Sequence, residues 1–191
     1  MPRLANPDPD TLPADVREFL SFLPPDPLVK MLSHAAGTVR PFIELAKAQF
    51  TSLELPARSR ELVILTVAAY ADCAFVAAQH EPMAQAAGVD EATRRLIADR
   101  EPESPGLSPY DRAVVRLTAE VVRHPRVSDE IFGEARRFLS ARELVEVLQV
   151  AGYYWSFSRV CTVLDVEITK VYGAGEPLLS DDAPGPGADA Q

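Results

Sequence analysis

The stretch Leu62-Val-Ile-Leu-Thr-Val-Ala-Ala-Tyr70 constrains the fold more than any other, because as a helix it is apolar on every face. Such a helix has no side to give to water and must be enclosed by neighbours, either from its own chain or across a subunit interface. Charge bounds the run, with Arg60 and Glu61 before it and Asp72 after it. It is also only about half as long as the roughly 18 residues that cross a bilayer. A homo-oligomer (dimer, trimer or hexamer) is therefore expected, and a membrane partner is not.

The signals around this run are helical. Asp26 before Pro27, and Ser108 before Pro109, each read as an N-cap followed by proline at the first helical position. Ser140-Ala-Arg-Glu143 reads as a capping box opening the run LVEVLQVAGYYW, and Gly88 then Asp90 as one helix stopping and the next starting. No alternating strand pattern with hairpin turns is present in the sequence. These signals predict helices over 14–22, 27–36, 38–51, 57–71, 73–87, 90–98, 109–123, 129–139 and 141–164. The fold class is all-α, with one helical domain over 14–170. A flexible N-terminus over 1–13, rich in Pro, Asp and Ala, and a disordered acidic tail over 171–191 are expected to flank it.

Several classes of function fall away on composition. A net charge of −9 with no Lys/Arg run opposes binding to a phosphate backbone, so no nucleic-acid partner is expected. The opening MPRLANPDPD lacks the apolar stretch of an export signal, which predicts a cytoplasmic protein. Cys73 and Cys161 lie 88 residues apart and read as thiols rather than a structural disulfide. Neither has a second Cys or His two to four residues away, so neither a metal site nor a cofactor is expected.

The chemistry concentrates in Arg60-Glu61, eleven residues, then Cys73-Ala-Phe-Val76-Ala-Ala-Gln-His80. If the chain turns near Ala71 and Asp72, with Asp72 as N-cap, Glu61 and His80 stand roughly 15 Å and 12 Å from the turn on antiparallel helices. A carboxylate facing an imidazole at matching height would fix its tautomer and support it as a general base. Without that pairing, Glu61 would simply complement a helix dipole and His80 would be an ordinary core or surface histidine. Cys73 falls in the first turn of its helix, where the dipole favours thiolate and the adjacent Asp72 opposes it. Cys73 stands two turns, about 10 Å, from His80, and the residue one turn before His80 is Val76.

The order Glu61, Cys73, position 76, His80 resembles the site of alkylhydroperoxidase D-type proteins, whose pattern has cysteine at both thiol positions. Val76 stands where the second cysteine would be. Gly88 and the segments LSPYDRAVVRLTAEVV and ARELVEVLQVAGYYW are similar to the wider carboxymuconolactone decarboxylase-like group, and the likeness covers residues 27–168. The resemblance implies a compact multi-helix bundle of the alkylhydroperoxidase D-like type, with a helical hairpin carrying catalytic Glu61, His80 and Cys73. It implies an enzyme of decarboxylase, lyase or isomerase type acting on a small organic acid, lactone or related carbonyl compound. The alternatives are a single-cysteine hydroperoxide reductase or thiol oxidoreductase working through Cys73, and a non-catalytic oligomeric small-molecule-binding protein. With valine at 76, standard dithiol cycling between neighbouring thiols loses its second member, so poor hydroperoxide turnover is expected.

Two further patterns bear on the site. Tyr70, Val76, Tyr153, Tyr154 and Trp155 are candidates to line a substrate pocket, against the plainer reading of the aromatic group as core packing. Arg60-Glu61-Leu62-Val63 recurs as Arg142-Glu143-Leu144-Val145, and the same offset carries Cys73 onto Trp155 and His80 onto Thr162. Only the first copy would then hold reactive groups. His34 and His124 have no partner pattern and read as structural or exposed.

Overall fold

The structure, a computed structural model, describes residues 1–168. The expected tail over 171–191 and the domain end at 170 lie outside the described residues. After a short 3₁₀ turn, Pro9–Thr11, come helices α1 (Ala14–Ser21), α2 (Pro27–Leu32), α3 (Ala36–Thr51), α4 (Ala57–Tyr70) and α5 (Ala74–Ala86). They are followed by α6 (Glu91–Ala98), α7 (Pro109–Arg123), α8 (Asp129–Ala135) and α9 (Ala141–Val163). No strand is present among the described residues, and none of their helices is long and apolar enough to cross a membrane.

The start signals carry the caps they predict. Asp26 accepts from the Leu28 and Val29 N–H groups at 2.7 and 3.2 Å, and Ser108 accepts from Asp111 N–H at 3.1 Å. At α9, Ser140 Oγ accepts from Glu143 N–H at 3.1 Å while Glu143 accepts from Ser140 N–H at 2.8 Å, both halves of the capping box. Gly88 takes φ +84°, a conformation open to glycine at little cost, and Asp90 then caps α6 through Thr93 N–H at 2.8 Å.

Three expectations are corrected. The helix predicted over 27–36 stops at Leu32 because Ser33 Oγ donates to the Lys30 carbonyl at 2.6 Å and a turn precedes α3. The helix predicted over 129–139 ends at Ala135, where Phe138 N–H closes a tighter three-residue turn on the Ala135 carbonyl at 3.0 Å. Asp72 is not an N-cap: it takes a left-handed φ of +52° and pairs with Arg100, leaving Cys73 as the capping residue of α5. Near the N-terminus, Arg3 N–H donates to the Leu164 carbonyl at 2.9 Å, and His34 Nε2 meets the Ala5 carbonyl at 2.8 Å.

The all-apolar helix is α4, and its own chain encloses it. Helices α5, α6, α7 and α9 pack around it, and every residue from Glu61 to Ala68 is buried. Covering α4 therefore does not call for a second subunit. Arg58 clamps α4 to α7 with a two-pronged ion pair to the buried Asp111, and Glu146 of α9 accepts from Glu54 and Leu55 N–H at 3.1 and 2.7 Å, fixing the chain just before α4. The second Arg-Glu copy is structural, since Glu143 closes the capping box and Arg142 pairs with Glu146 at 2.8 Å.

A helix packed this tightly registers the loss of one methylene. Ile64 is fully buried, so Ile64→Val is expected to cost about 0.5–1.5 kcal/mol in a urea titration. Leu45, 48% exposed, is expected to change stability by less than about 0.5 kcal/mol on replacement by Ala.

Candidate active site

Helices α4 and α5 form the expected antiparallel hairpin, closed by Cys73 N–H donating to the Ala68 carbonyl at 2.9 Å. At its far end His80 Nδ1 lies 2.8 Å from Glu61 Oε2. The carboxylate is the acceptor, so Nδ1 carries the proton and Nε2 presents its lone pair. Nε2 makes no hydrogen bond among the described residues. Arg60 holds the other carboxylate oxygen, with Nε and Nη2 at 3.1 and 3.0 Å from Oε1. Glu61 is completely buried and His80 is 4% exposed.

Burial works to push the Glu61 carboxyl up, but the bonds and charges of His80 and Arg60 outweigh it and the net shift is downward. Glu61 therefore stays ionised across the neutral range with both oxygens engaged. The Glu61 carboxylate thus fixes the orientation of the imidazole.

Aromatic rings wall the imidazole. Tyr154 of α9 meets it edge-on at 4.9 Å between centroids, and Phe50 of α3 lies 6.3 Å away. Arg60 stacks over Phe50 at 4.0 Å, so one cation both clamps Glu61 and pins the Phe50 ring. Beside Phe50, Gln49 is 2% exposed, and among the described residues neither end of its amide has a hydrogen-bond partner, nor does the buried Tyr153 hydroxyl. Tyr153 stacks on Phe42 of α3 at 4.4 Å. Phe42, Gln49 and Phe50 lie on one α3 face by helical spacing, turned toward α9 and α5.

Cys73 forms a second centre. It sits at the start of α5, 2% exposed, and does not reach His80. Its sulfur makes no capping bond, and Cys161 of α9 belongs to the same buried core cluster. Cys161 is the main cause that pulls the Cys73 thiol down to about 6, with burial opposing and the start of α5 assisting. The Cys161 thiol is pushed up, first by Cys73 and then by burial.

The structure divides the other expected pocket residues. Tyr154 touches His80, and Tyr153 packs beside it at 5.3 Å. Val76 is fully buried on the α5 face between Cys73 and His80. Tyr70, at the opposite end of α4 from Glu61, lies under Arg100 and Arg123 at 5.8 and 5.9 Å. Trp155 points outward, 46% exposed, in a groove of about 380 Å³ with Val121, Val122 and Gly152. Neither Tyr70 nor Trp155 is brought to the imidazole, since adjacent residues on α9 face different sides. His124 lies 3.8 Å from Glu120 on the surface. Among the described residues no group of three or more His, Cys, Asp or Glu side chains is placed to hold a metal ion.

A helical bundle whose central hairpin carries a buried carboxylate–imidazole pair and a thiol at the turn belongs to the AhpD-like class of folds. Residues 37–102, about a third of the chain, match the model of the Carboxymuconolactone decarboxylase family. Among solved structures, an uncharacterised peroxidase-related protein with an alkylhydroperoxidase AhpD core from Ralstonia eutropha JMP134 is similar at TM-score 0.71 and 16% identity, over 87% of this chain and 91% of that one. An uncharacterised peroxidase-related protein from Silicibacter sp. TM1040 gives TM-score 0.71 and 14% identity, over 87% and 91% of the two chains. The debrominase Bmp8, as a cysteine-to-alanine variant in complex with 2,3,4-tribromopyrrole, gives TM-score 0.68 and 15% identity, over 88% and 94%. At these identities the likeness is one of fold. No curated protein matches the chain in sequence.

Proposed function

We propose that the chain is an enzyme of general acid–base type, in which His80 Nε2 takes a proton from a small organic acid, lactone or related carbonyl compound and Glu61 and Arg60 hold the imidazole in place. The observation that carries this reading is the 2.8 Å bond between a fully buried carboxylate and His80 Nδ1, which leaves Nε2 without a partner. Decarboxylation, lactone opening and isomerisation share this need for a proton moved at a fixed position. The experiment is solvent exchange. In D₂O, a panel of small keto acids and lactones is incubated with the protein, and loss of the C–H signals next to the carbonyl is followed by NMR. Exchange by wild type that disappears in His80→Gln is expected; equal exchange by both proteins would reject the reading.

Gln49 is proposed to meet the substrate oxygen with its amide. A buried amide with no partner costs roughly 1–3 kcal/mol, and such a cost persists where a ligand relieves it. Gln49→Leu is therefore expected to raise the stability of the free protein by about that amount and to raise KM. A variant that is more stable with KM unchanged would make Gln49 a packing residue only.

We also propose self-association through the outer face of α9. Val145, Leu148 and Trp155 lie on one stripe and are 53%, 46% and 46% exposed, an apolar surface a monomer leaves in water. Light scattering is expected to report an oligomer that Leu148→Glu dissociates. A wild-type monomer at micromolar concentration would reject this.

A further inference from the structure

Ring contacts close a circuit around the dyad. Phe42 of α3 stacks on Tyr153 at 4.4 Å, Tyr153 meets Tyr154 at 5.3 Å, Tyr154 meets His80 at 4.9 Å, and His80 faces Phe50, back on α3, at 6.3 Å. Gln49 stands on that stretch of α3, two turns after Phe42 and on the same helix face. Arg60 Nη1 reaches the Gln49 backbone carbonyl at 3.5 Å, which ties this residue to the clamp on Glu61. The circuit therefore carries His80 Nε2 together with two buried, uncharged groups, the Gln49 amide and the Tyr153 hydroxyl, that have no partner among the described residues. Two such groups beside one base destabilise the free protein and are relieved by a ligand that meets them. The charge of the site decides which kind. Glu61 is ionised and completely buried, and the Arg60 guanidinium is taken up by that carboxylate and by the Phe50 ring. The two charges cancel, so an uncharged ligand leaves the site neutral, whereas an acid would add an uncompensated buried anion.

We propose that the substrate is an uncharged carbonyl compound, a ketone or lactone with a cyclic or unsaturated body rather than a free acid, and that Tyr153 and Gln49 bind its carbonyl oxygen. This rests on the reading of His80 as general base and narrows it to one class of substrate. His80 Nε2 takes the proton from the carbon beside the carbonyl. The C–H electron pair becomes a C=C bond, and the C=O pair moves onto oxygen as an enolate. Tyr153 O–H and a Gln49 amide N–H donate to that oxygen, where the charge collects. Burial raises the Tyr153 hydroxyl above the ordinary tyrosine range, so it keeps its proton and acts as a donor. The imidazolium, still bonded to Glu61 through Nδ1, balances the enolate, and the site as a whole stays neutral. Returning the proton, or a deuteron from the solvent, to carbon closes the cycle. Phe42, Phe50 and Tyr154 offer ring faces and edges to the body of the substrate.

The test uses the full-length protein with phenylacetone and phenylpyruvate, which share the ring and the ketone and differ in a methyl group against a carboxylate. In D₂O, wild type is expected to accelerate C–H exchange of phenylacetone and to leave phenylpyruvate at its buffer rate, a comparison that needs no variant. Infrared difference spectra of phenylacetone with an isotope-labelled carbonyl are expected to show the bound C=O stretch lowered by the two donors, in wild type and in His80→Gln alike. Tyr153→Phe is expected to return the stretch part of the way to its value in hydrocarbon solvent. The same variant should slow exchange about 10²-fold through kcat. Its melting temperature should match or exceed that of wild type, because the change deletes a hydroxyl without a partner. A lowered stretch together with exchange that His80→Gln leaves unchanged would remove the base and still support the carbonyl site. An acid bound or exchanged as readily as the ketone, a ketone that does not bind, or a stretch that Tyr153→Phe does not move would overturn the proposal.

Discussion

His80→Leu is expected to destabilise the protein by about 3–5 kcal/mol, more than its loss of packing explains, because it leaves a buried carboxylate short of a partner. Glu61 has no exposure to water, and its two oxygens are divided between His80 and Arg60. Arg60 remains in the variant, so the cost falls toward the lower end of that range. Adding Glu61→Gln removes the charge and is expected to recover roughly half of the loss. The pH dependence follows from the direction of the Glu61 shift. Its carboxyl is held below the unfolded value of 4.5, so its contribution is complete above about pH 5 and is lost as pH falls through the lowered folded value. The gap in urea-unfolding free energy between wild type and His80→Leu should therefore narrow on acidification below about pH 4.5. A double variant no more stable than His80→Leu would show that the stranded charge is not the cause.

What the sequence disclosed about this dyad was local. The turn near Ala71 and the lengths on either side were enough to bring Glu61 level with His80, because two helices and a short connection leave little freedom. The caps at Asp26, Ser108 and Ser140 were legible for the same reason, each being an interaction within four residues. The Asp72 reading failed because a side chain suited to capping sits one residue too early, and the turn uses it in the left-handed conformation while Arg100 takes its carboxylate. The walls of the site were not legible. Phe50 reaches it from α3 and Tyr154 from α9, contacts that only tertiary packing creates. The all-apolar α4 was correctly read as enclosed, but the sequence left open whether its own chain or a partner would do it, and the chain does.

The largest functional effect is expected at His80. His80→Gln should slow carbonyl-dependent C–H exchange by about 10²–10⁴-fold, the usual contribution of a positioned general base. Glutamine is close to histidine in size and can still donate to Glu61, so the loss would reflect the missing lone pair at Nε2 rather than a collapsed site. A matching melting temperature for His80→Gln and wild type would establish that. Glu61→Gln is expected to reduce kcat with little change in KM, because the amide no longer fixes the imidazole tautomer but touches no substrate. Cys73→Ser separates the two chemistries. The thiol lies at the other end of α5, about 10 Å from His80 along the axis, so exchange should persist within a factor of a few. Loss of exchange in Cys73→Ser, with His80→Gln unaffected, would move the reaction from the imidazole to the sulfur and reverse the roles assigned to the two ends of the helix.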